Sequence, residues 1–174
     1  MRRKAVLLLW TAYLGLLSGL AWFTYHHAIY NATTSLPGMF YLIRPEAPQR
    51  GSAVLICPQG VLSRVAMNLG TMQYHGQCPG QDDQPGTTGL IKLLMGLPGD
   101  RVRADGVGDI VINDQILPRT RPHPRLPVFN THHEDYILGE DEYLVLTPHA
   151  DGFDSRYFGP VHQSEIQSTL RLFW

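Results

Sequence analysis

The sequence lacks an excess of charge of either sign, which restricts the partners that the protein can have. Its 14 lysine and arginine residues nearly balance its 15 aspartate and glutamate residues, for a formal net charge of −1. Nucleic-acid-binding proteins usually carry a basic surface, so we expect no nucleic-acid partner. Repeats and low-complexity tracts are also absent, while hydrophobic residues make up 44% of the chain, enough for a packed core.

Long apolar runs are scarce, and the one that occurs stands at the N-terminus. No charged residue lies between Ala5 and Tyr25, and as a helix this run would be about 30 Å long, the thickness of a bilayer core. The basic residues RRK precede it, which predicts a cytoplasmic N-terminus and an exported remainder. A cleaved secretory signal is the alternative, although its apolar region normally has about 7–15 residues. We expect a membrane anchor over 1–28 and an exported domain over 29–174.

Cysteine is rare, because the chain has only Cys57 and Cys78. In an oxidising compartment such a pair usually forms a disulfide. This one would close a loop of about 20 residues and contribute about 3 kcal/mol in the chain-entropy model. Two free buried thiols or a metal site are the alternatives, but no CxxC or HxxxH spacing accompanies the cysteines. We expect the disulfide, and we expect no metal.

Short β-rich segments bounded by proline and glycine predict a mainly β fold. The helix-like exception is GVLSRVAMNLG, whose apolar residues recur at helical spacing and which Gly70 can end. The chain therefore predicts an antiparallel sheet or partly closed barrel with one short helix, behind one N-terminal transmembrane helix. The predicted strands are MFYLI, SAVLICP, the two halves of LIKLLMGLPGDRVR, the hairpin DIVINDQIL that turns at Asn113-Asp114, EYLVLTP and TLRLFW.

Two longer stretches read as loops. TMQYHGQCPGQDDQPGTTG, residues 71–89, is punctuated by glycine and proline inside the predicted disulfide region. RTRPHPRLPVFNTHHEDY, residues 119–136, holds three prolines and is predicted to be a surface excursion rather than a strand.

Three hydroxyl side chains follow the apolar run directly, in the segment NATTSLPGMFY. Pro37 pushes the preceding residue to extended geometry, and Gly38 allows the backbone to turn closely. This local stiffness could hold the hydroxyl of Ser35 at a fixed angle. Serine in a loop is most often only a turn or cap residue, so this segment alone does not identify a nucleophile.

Lys92 stands among apolar residues in GLIKLLMGLPG. On a strand it would share a face with Leu90 and Leu94, where burial would disfavour its charge and lower its pKa. A neutral lysine can act as general base for a serine hydroxyl, and Ser–Lys pairs are a known variant of the catalytic triad. A lysine that extends to solvent from an edge strand is the alternative.

A third segment, DGFDSRYFGPV, carries a carboxylate and a guanidinium two residues apart. On a strand, Asp154 and Arg156 would share a face and could pair. Such a pair more often orders structure than takes part in catalysis, so a structural role is favoured.

In this order, the segments around Ser35, Lys92 and Asp154 resemble the three signature boxes of type I signal peptidases, a family of serine peptidases. They are most similar to the TraF-type branch, the conjugative-transfer peptidases that mature pilins. The ICP and GQCPG segments, and the pattern N-x-T-x-S-x-P at residues 31–37, are similar to that branch too.

The resemblance implies a role for each site residue. It implies Ser35 as the nucleophile and Lys92 as its general base. Thr33 would join the Ser35 backbone N–H in an oxyanion hole, where donors aimed at developing charge contribute a few kcal/mol each. Asp154 and Arg156 would support the lysine strand. The chain departs from the pattern in two places, with Gly152 where a serine is usual and with Gly38 one place earlier than usual.

The resemblance also implies a setting and a reaction. The catalytic domain would lie in the periplasm, anchored in a bacterial inner membrane, and would need no cofactor. Its partners would be a pilin precursor, the lipid bilayer and other conjugation or secretion components. Water would resolve the acyl-enzyme to trim the pilin, or a peptide amine would resolve it to close a ring. A general type I signal peptidase and a catalytically inactive scaffold module of a type IV secretion apparatus are the alternatives.

Overall fold

The N-terminal helix stands apart from the rest of the protein. The computed structural model describes residues 2–80, 85–124 and 135–174. Helix α1, Arg2–His27, is long and apolar enough to cross a membrane, and its residues 3–27 are all exposed. A helix that is apolar on all sides requires an apolar environment, as a membrane span does. The first strand begins at the next residue, Ala28.

The remaining residues form a mainly β domain with short helices. Its elements in chain order are β1 (Ala28–Tyr30), β2 (Phe40–Arg44), β3 (Ala53–Ile56), α2 (Gly60–Asn68), β4 (Tyr74–Cys78), β5 (Leu90–Gly96), β6 (Arg101–Ala104), β7 (Ile110–Ile112), β8 (Gln115–Ile116), β9 (Tyr136–Ile137), β10 (Glu142–Leu146), α3 (Ser155–Phe158), β11 (Val161–His162), the 3₁₀ helix η1 (Gln163–Glu165) and β12 (Ile166–Leu172).

In the described part of the chain, every strand except β4 belongs to one of two antiparallel sheets. The larger sheet has the order β1-β2-β12-β3-β5-β10-β11 and curls into a half-barrel, as predicted. The smaller sheet has the order β8-β7-β6-β9 and follows the tight turn after β5. In the larger sheet β5 lies between β3 and β10, with Val54 opposite Lys92 and Val145 opposite Leu94. The segment that carries Lys92 is therefore a central strand, covered on both edges.

Buried residues on the two faces of the larger sheet form separate clusters. One face packs against α2 and α3, and the other packs against the loop after β1 and the two cysteines. The first cluster includes Val54, Ile56, Ala66, Leu90, Leu94, Val145, Phe153 and Tyr157. The second includes Ile29, Leu36, Tyr41, Leu55, Cys57, Cys78, Ile91 and Leu170.

Most predicted strands and the predicted helix are present. The hairpin turns at Asn113 and Asp114 with φ values of 48° and 68°, the left-handed conformation that a two-residue turn of this kind requires. Helix α2 ends at Asn68, and Gly70 beyond it has a φ of 68°. The residues at these turns therefore predicted the position of the hairpin and the end of the helix correctly.

Three expectations need correction. The stretch 71–89 contains strand β4, which bridges to Thr87 from both of its ends, so it is not all loop. Asp154 and Arg156 lie at the start of helix α3 and not on a strand, because the Asp154 side chain caps the helix by accepting from the Arg156 N–H. Of the stretch 119–136, the last residue begins β9, and residues 125–134 lie outside the described part of the chain.

Candidate active site

The loop between β1 and β2 carries Ser35. It closes where Asn31 N–H donates to the Met39 carbonyl at 2.7 Å. Gly38 has a φ of 86°, and a Cβ there would lie 2.1 Å from Cδ1 of Leu172, so only glycine fits this turn. Leu36 is buried in the core and holds the loop down directly beside Ser35, which is half-buried. The early position of this glycine therefore still gives a tightly closed loop.

Strand β5 brings Lys92 to this loop. The Lys92 side chain is 2% exposed, and its neighbours on the same strand face, Leu90 and Leu94, are buried as well. Lys92 Nζ lies 3.4 Å from Ser35 Oγ. The fold thus joins two groups that are far apart in the sequence, and it does so in an apolar setting.

The apolar setting changes the acid–base properties of the amine. Burial lowers the pKa of Lys92 to about 8; the charge of Asp154 acts in the opposite direction, and that of Arg156 lowers the pKa further. At pH 7 about a tenth of the amine is then neutral, against fewer than one in a thousand for an ordinary lysine. The neutral form has a lone pair directed at a serine hydroxyl within reach.

A fully buried ion pair lies behind the lysine. Arg156 Nε donates to Asp154 Oδ1 at 2.8 Å, and Arg156 Nη2 donates to Asp154 Oδ2 at 2.7 Å. The backbone carbonyls of His149, Ala150 and Gly152 accept from the same guanidinium. This pair therefore fixes the chain between β10 and α3, and it acts on Lys92 through charge.

Thr147 fills the space that a serine at position 152 would need. Its backbone N–H donates to Asp154 Oδ2 at 2.8 Å, and its hydroxyl accepts from Arg156 Nη2 at 3.3 Å. A Cβ on Gly152 would lie 2.1 Å from Thr147 Oγ1. Glycine is therefore required at 152 while threonine stands at 147. Sequence reasoning missed Thr147, because a threonine at the end of an apolar strand gives no sign of this contact.

Thr33 lies beside the same serine. Thr33 Oγ1 is 2.9 Å from Ser35 Oγ and donates to Asn31 Oδ1 at 3.0 Å. Sequence reasoning gave no role to Asn31, although it is the first residue of the N-x-T-x-S-x-P pattern. Of the five residues to which the resemblance gave a role, Ser35, Lys92 and Thr33 are thus in direct or sequential contact, and the pair of Asp154 and Arg156 lies behind them.

The two cysteines are joined in a disulfide, with their Cα atoms 5.4 Å apart. Both lie in the core cluster beneath the serine loop, with Leu36 and Ile91. The disulfide ties the end of β3 to the end of β4 in the core beneath the serine loop. Within residues 2–80, 85–124 and 135–174, no group of three or more His, Cys, Asp or Glu side chains is arranged to hold a metal.

A curled antiparallel sheet that sets a serine hydroxyl beside a buried lysine is the arrangement that the resemblance to type I signal peptidases predicted. The chain belongs to the signal peptidase family, peptidase S26, whose family model matches residues 2–174. It is 31% identical over 153 residues to the plasmid transfer protein TraF of Escherichia coli, covering 81% of this chain and 79% of that protein. It is 30% identical over 151 residues to the conjugal transfer protein TraF of Agrobacterium tumefaciens (strain 15955), covering 81% and 78% respectively. The resemblance to TraF-type peptidases is confirmed.

Proposed function

We propose that this protein is a membrane-anchored serine endopeptidase that processes a conjugative pilin precursor with a Ser35/Lys92 dyad. The observation that carries the proposal is the 3.4 Å approach of Lys92 Nζ to Ser35 Oγ, with the amine buried and its pKa lowered to about 8. The names of the similar TraF proteins support a conjugative role over a general signal peptidase. The buried contact supports an enzyme over an inactive scaffold.

The proposed reaction begins with proton transfer from Ser35 Oγ to the neutral Lys92 Nζ. The serine oxygen then forms a C–O bond to the scissile carbonyl carbon, and the Ser35 N–H and the Thr33 hydroxyl stabilise the oxyanion. When the C–N bond breaks, the Lys92 ammonium returns its proton to the leaving amine. Asp154 and Arg156 are the supporting pair that holds the chain behind the amine.

The acyl-enzyme has two routes to product. Water gives a trimmed linear pilin, and the N-terminal amine of the same pilin gives a head-to-tail ring with the mass of one water less. Lys92 accepts the proton of either nucleophile. The substrate would bind in extended form beside the sheet, with small residues next to the scissile bond.

Helix α1 would hold the domain at the periplasmic face of the inner membrane, with residues 1–28 as anchor and residues 29–174 as catalytic domain. The basic residues before the helix favour a cytoplasmic N-terminus. Substrates with their own membrane segments would then meet the site by diffusion in two dimensions. Other conjugation components are further proposed partners.

Intact-mass spectrometry of pilin tests the proposal. The precursor from the same transfer system is co-expressed with the wild type, Ser35→Ala, Lys92→Ala and Thr34→Ala, the last being a matched control that removes the neighbouring exposed hydroxyl. Wild type and Thr34→Ala should give mature pilin, linear or cyclic according to its mass. The dyad variants should leave the precursor intact, and mature pilin from both of them would refute the dyad.

A further inference from the structure

Asn31 is buried beneath the serine loop and uses its whole hydrogen-bonding capacity there. Asn31 is 6% exposed. Asn31 Nδ2 donates to the carbonyls of Leu36 and Gly38, each at 3.0 Å. Asn31 Oδ1 accepts from the Thr33 N–H at 3.2 Å and from the Thr33 hydroxyl at 3.0 Å. An amide has two donor hydrogens and two acceptor lone pairs, and all four are engaged.

These partners fix which way the amide of Asn31 points. The carbonyls of Leu36 and Gly38 can only accept, so they must face Nδ2, and the Thr33 N–H can only donate, so it must face Oδ1. A flipped amide would set like groups against each other at all three contacts. The acceptor beside the Thr33 hydroxyl is therefore Oδ1, and the orientation follows from the backbone alone.

The fixed amide in turn fixes the proton of Thr33. A hydroxyl has one hydrogen, and the Thr33 hydrogen is given to Asn31 Oδ1 because that atom cannot donate. The 2.9 Å contact between Thr33 Oγ1 and Ser35 Oγ must then be made by the Ser35 hydrogen. With Lys92 Nζ donating to Ser35 Oγ, the resting site is a one-way chain of donors that runs from Lys92 through Ser35 and Thr33 to Asn31.

We infer that Asn31 is a positioning residue for the dyad, an inference that rests on the proposed function of Ser35 and Lys92. Asn31 holds both ends of the serine loop and presents a lone pair of Thr33 to Ser35, so that the serine oxygen is fixed from two sides. When Lys92 loses its proton, only the Ser35 hydrogen has to turn. As the oxyanion forms, the Thr33 hydroxyl can turn from Asn31 Oδ1 and donate to the oxyanion. Asn31 Oδ1 then still accepts from the Thr33 N–H.

A double-mutant cycle tests whether Asn31 acts through Thr33. The full chain in detergent micelles is assayed on purified pilin precursor as wild type, Asn31→Ala, Thr33→Val and the double variant. Asn31→Ala should lower kcat about 100-fold, the usual cost of a misplaced reacting group, and change KM by less than about threefold. Thr33→Val should cost much less in the Asn31→Ala background than in the wild type, because the two residues form one unit.

Each result decides the inference. Wild-type kcat in Asn31→Ala would overturn it, as would losses that simply multiply in the double variant. If Asn31→Ala does not melt cooperatively, Asn31→Ser replaces it in the same cycle, and failure of both to fold would assign Asn31 to the fold and overturn its role in the dyad. Ser35→Ala is measured alongside: activity in that variant refutes the proposed function itself, whereas an inactive Ser35→Ala with a fully active Asn31→Ala refutes only this inference.

Discussion

The buried amine of Lys92 should make the protein less stable at neutral pH than at alkaline pH, and replacing it should make the protein more stable. The fall in its pKa from 10.5 to about 8 corresponds to about 3 kcal/mol of unfolding free energy. Below pH 8 the folded state must carry a buried charge, and the full cost is present. Between pH 8 and pH 10.5 the unfolded state binds more protons than the folded state, so stability rises with pH.

Lys92→Met removes the charge and leaves an unbranched apolar side chain that is one atom shorter. Removing the charge should raise the unfolding free energy by about 3 kcal/mol, and loss of the hydrogen bond to Ser35 should lower it by about 1 kcal/mol. The variant should therefore be about 2 kcal/mol more stable than the wild type at pH 7. The titration predicts that this advantage falls by about 2 kcal/mol between pH 7 and pH 9.5. The substitution that removes the proposed base should thus stabilise the fold.

Urea unfolding of the full chain in detergent micelles at the two pH values measures the difference. Lys4→Met is the control, because Lys4 is the only other lysine and lies on the exposed surface of α1. It should give no pH-dependent difference from the wild type. A stability gap for Lys92→Met that does not change with pH would show that the amine is not desolvated and would contradict a neutral base.

Two further predictions concern the support of the site. Arg156→Met leaves a fully buried carboxylate without its partner and should destabilise the domain by about 3–5 kcal/mol, seen as a lower melting temperature; an unchanged melting temperature would contradict the buried ion pair. Replacing Cys57 and Cys78 together by serine should cost about 3 kcal/mol in urea unfolding while leaving the kcat of the folded enzyme within about threefold, and two free thiols in the wild type by mass spectrometry would contradict the disulfide.

The strands and the family could be predicted because their signals are local. Apolar β-rich runs with proline and glycine between them indicate strands whatever the rest of the chain does, and Lys92 within such a run indicates a buried amine. The helical turn at Asp154 and Arg156 was not predicted, because spacing alone does not distinguish a shared strand face from a capped helical turn. The aspartate caps the helix and pairs with the arginine at the same time.

The rest of the site depends on contacts that no local pattern encodes. Strand β4 bridges to Thr87 from Tyr74 and from Cys78, across a stretch rich in glycine, so its sequence resembles a loop. The fit of Thr147 against Gly152 and the four hydrogen bonds of Asn31 appear only when separate segments have been brought together. Sequence reasoning therefore selected the groups of the proposed dyad, which the fold brings together, and missed the residues that hold them.

The direct passage from helix α1 into strand β1 sets a limit on where the enzyme can cut. Helix α1 ends at His27, and strand β1 begins at the next residue, Ala28. Ser35 follows within about eight residues, which span at most about 27 Å of extended chain. With α1 in the bilayer as proposed, the serine cannot rise farther than this from the lipid surface. The membrane anchor then limits the distance between Ser35 and the bilayer. Peptide bonds of a substrate that lie well beyond that distance could not reach the serine, even if their side chains fitted the site.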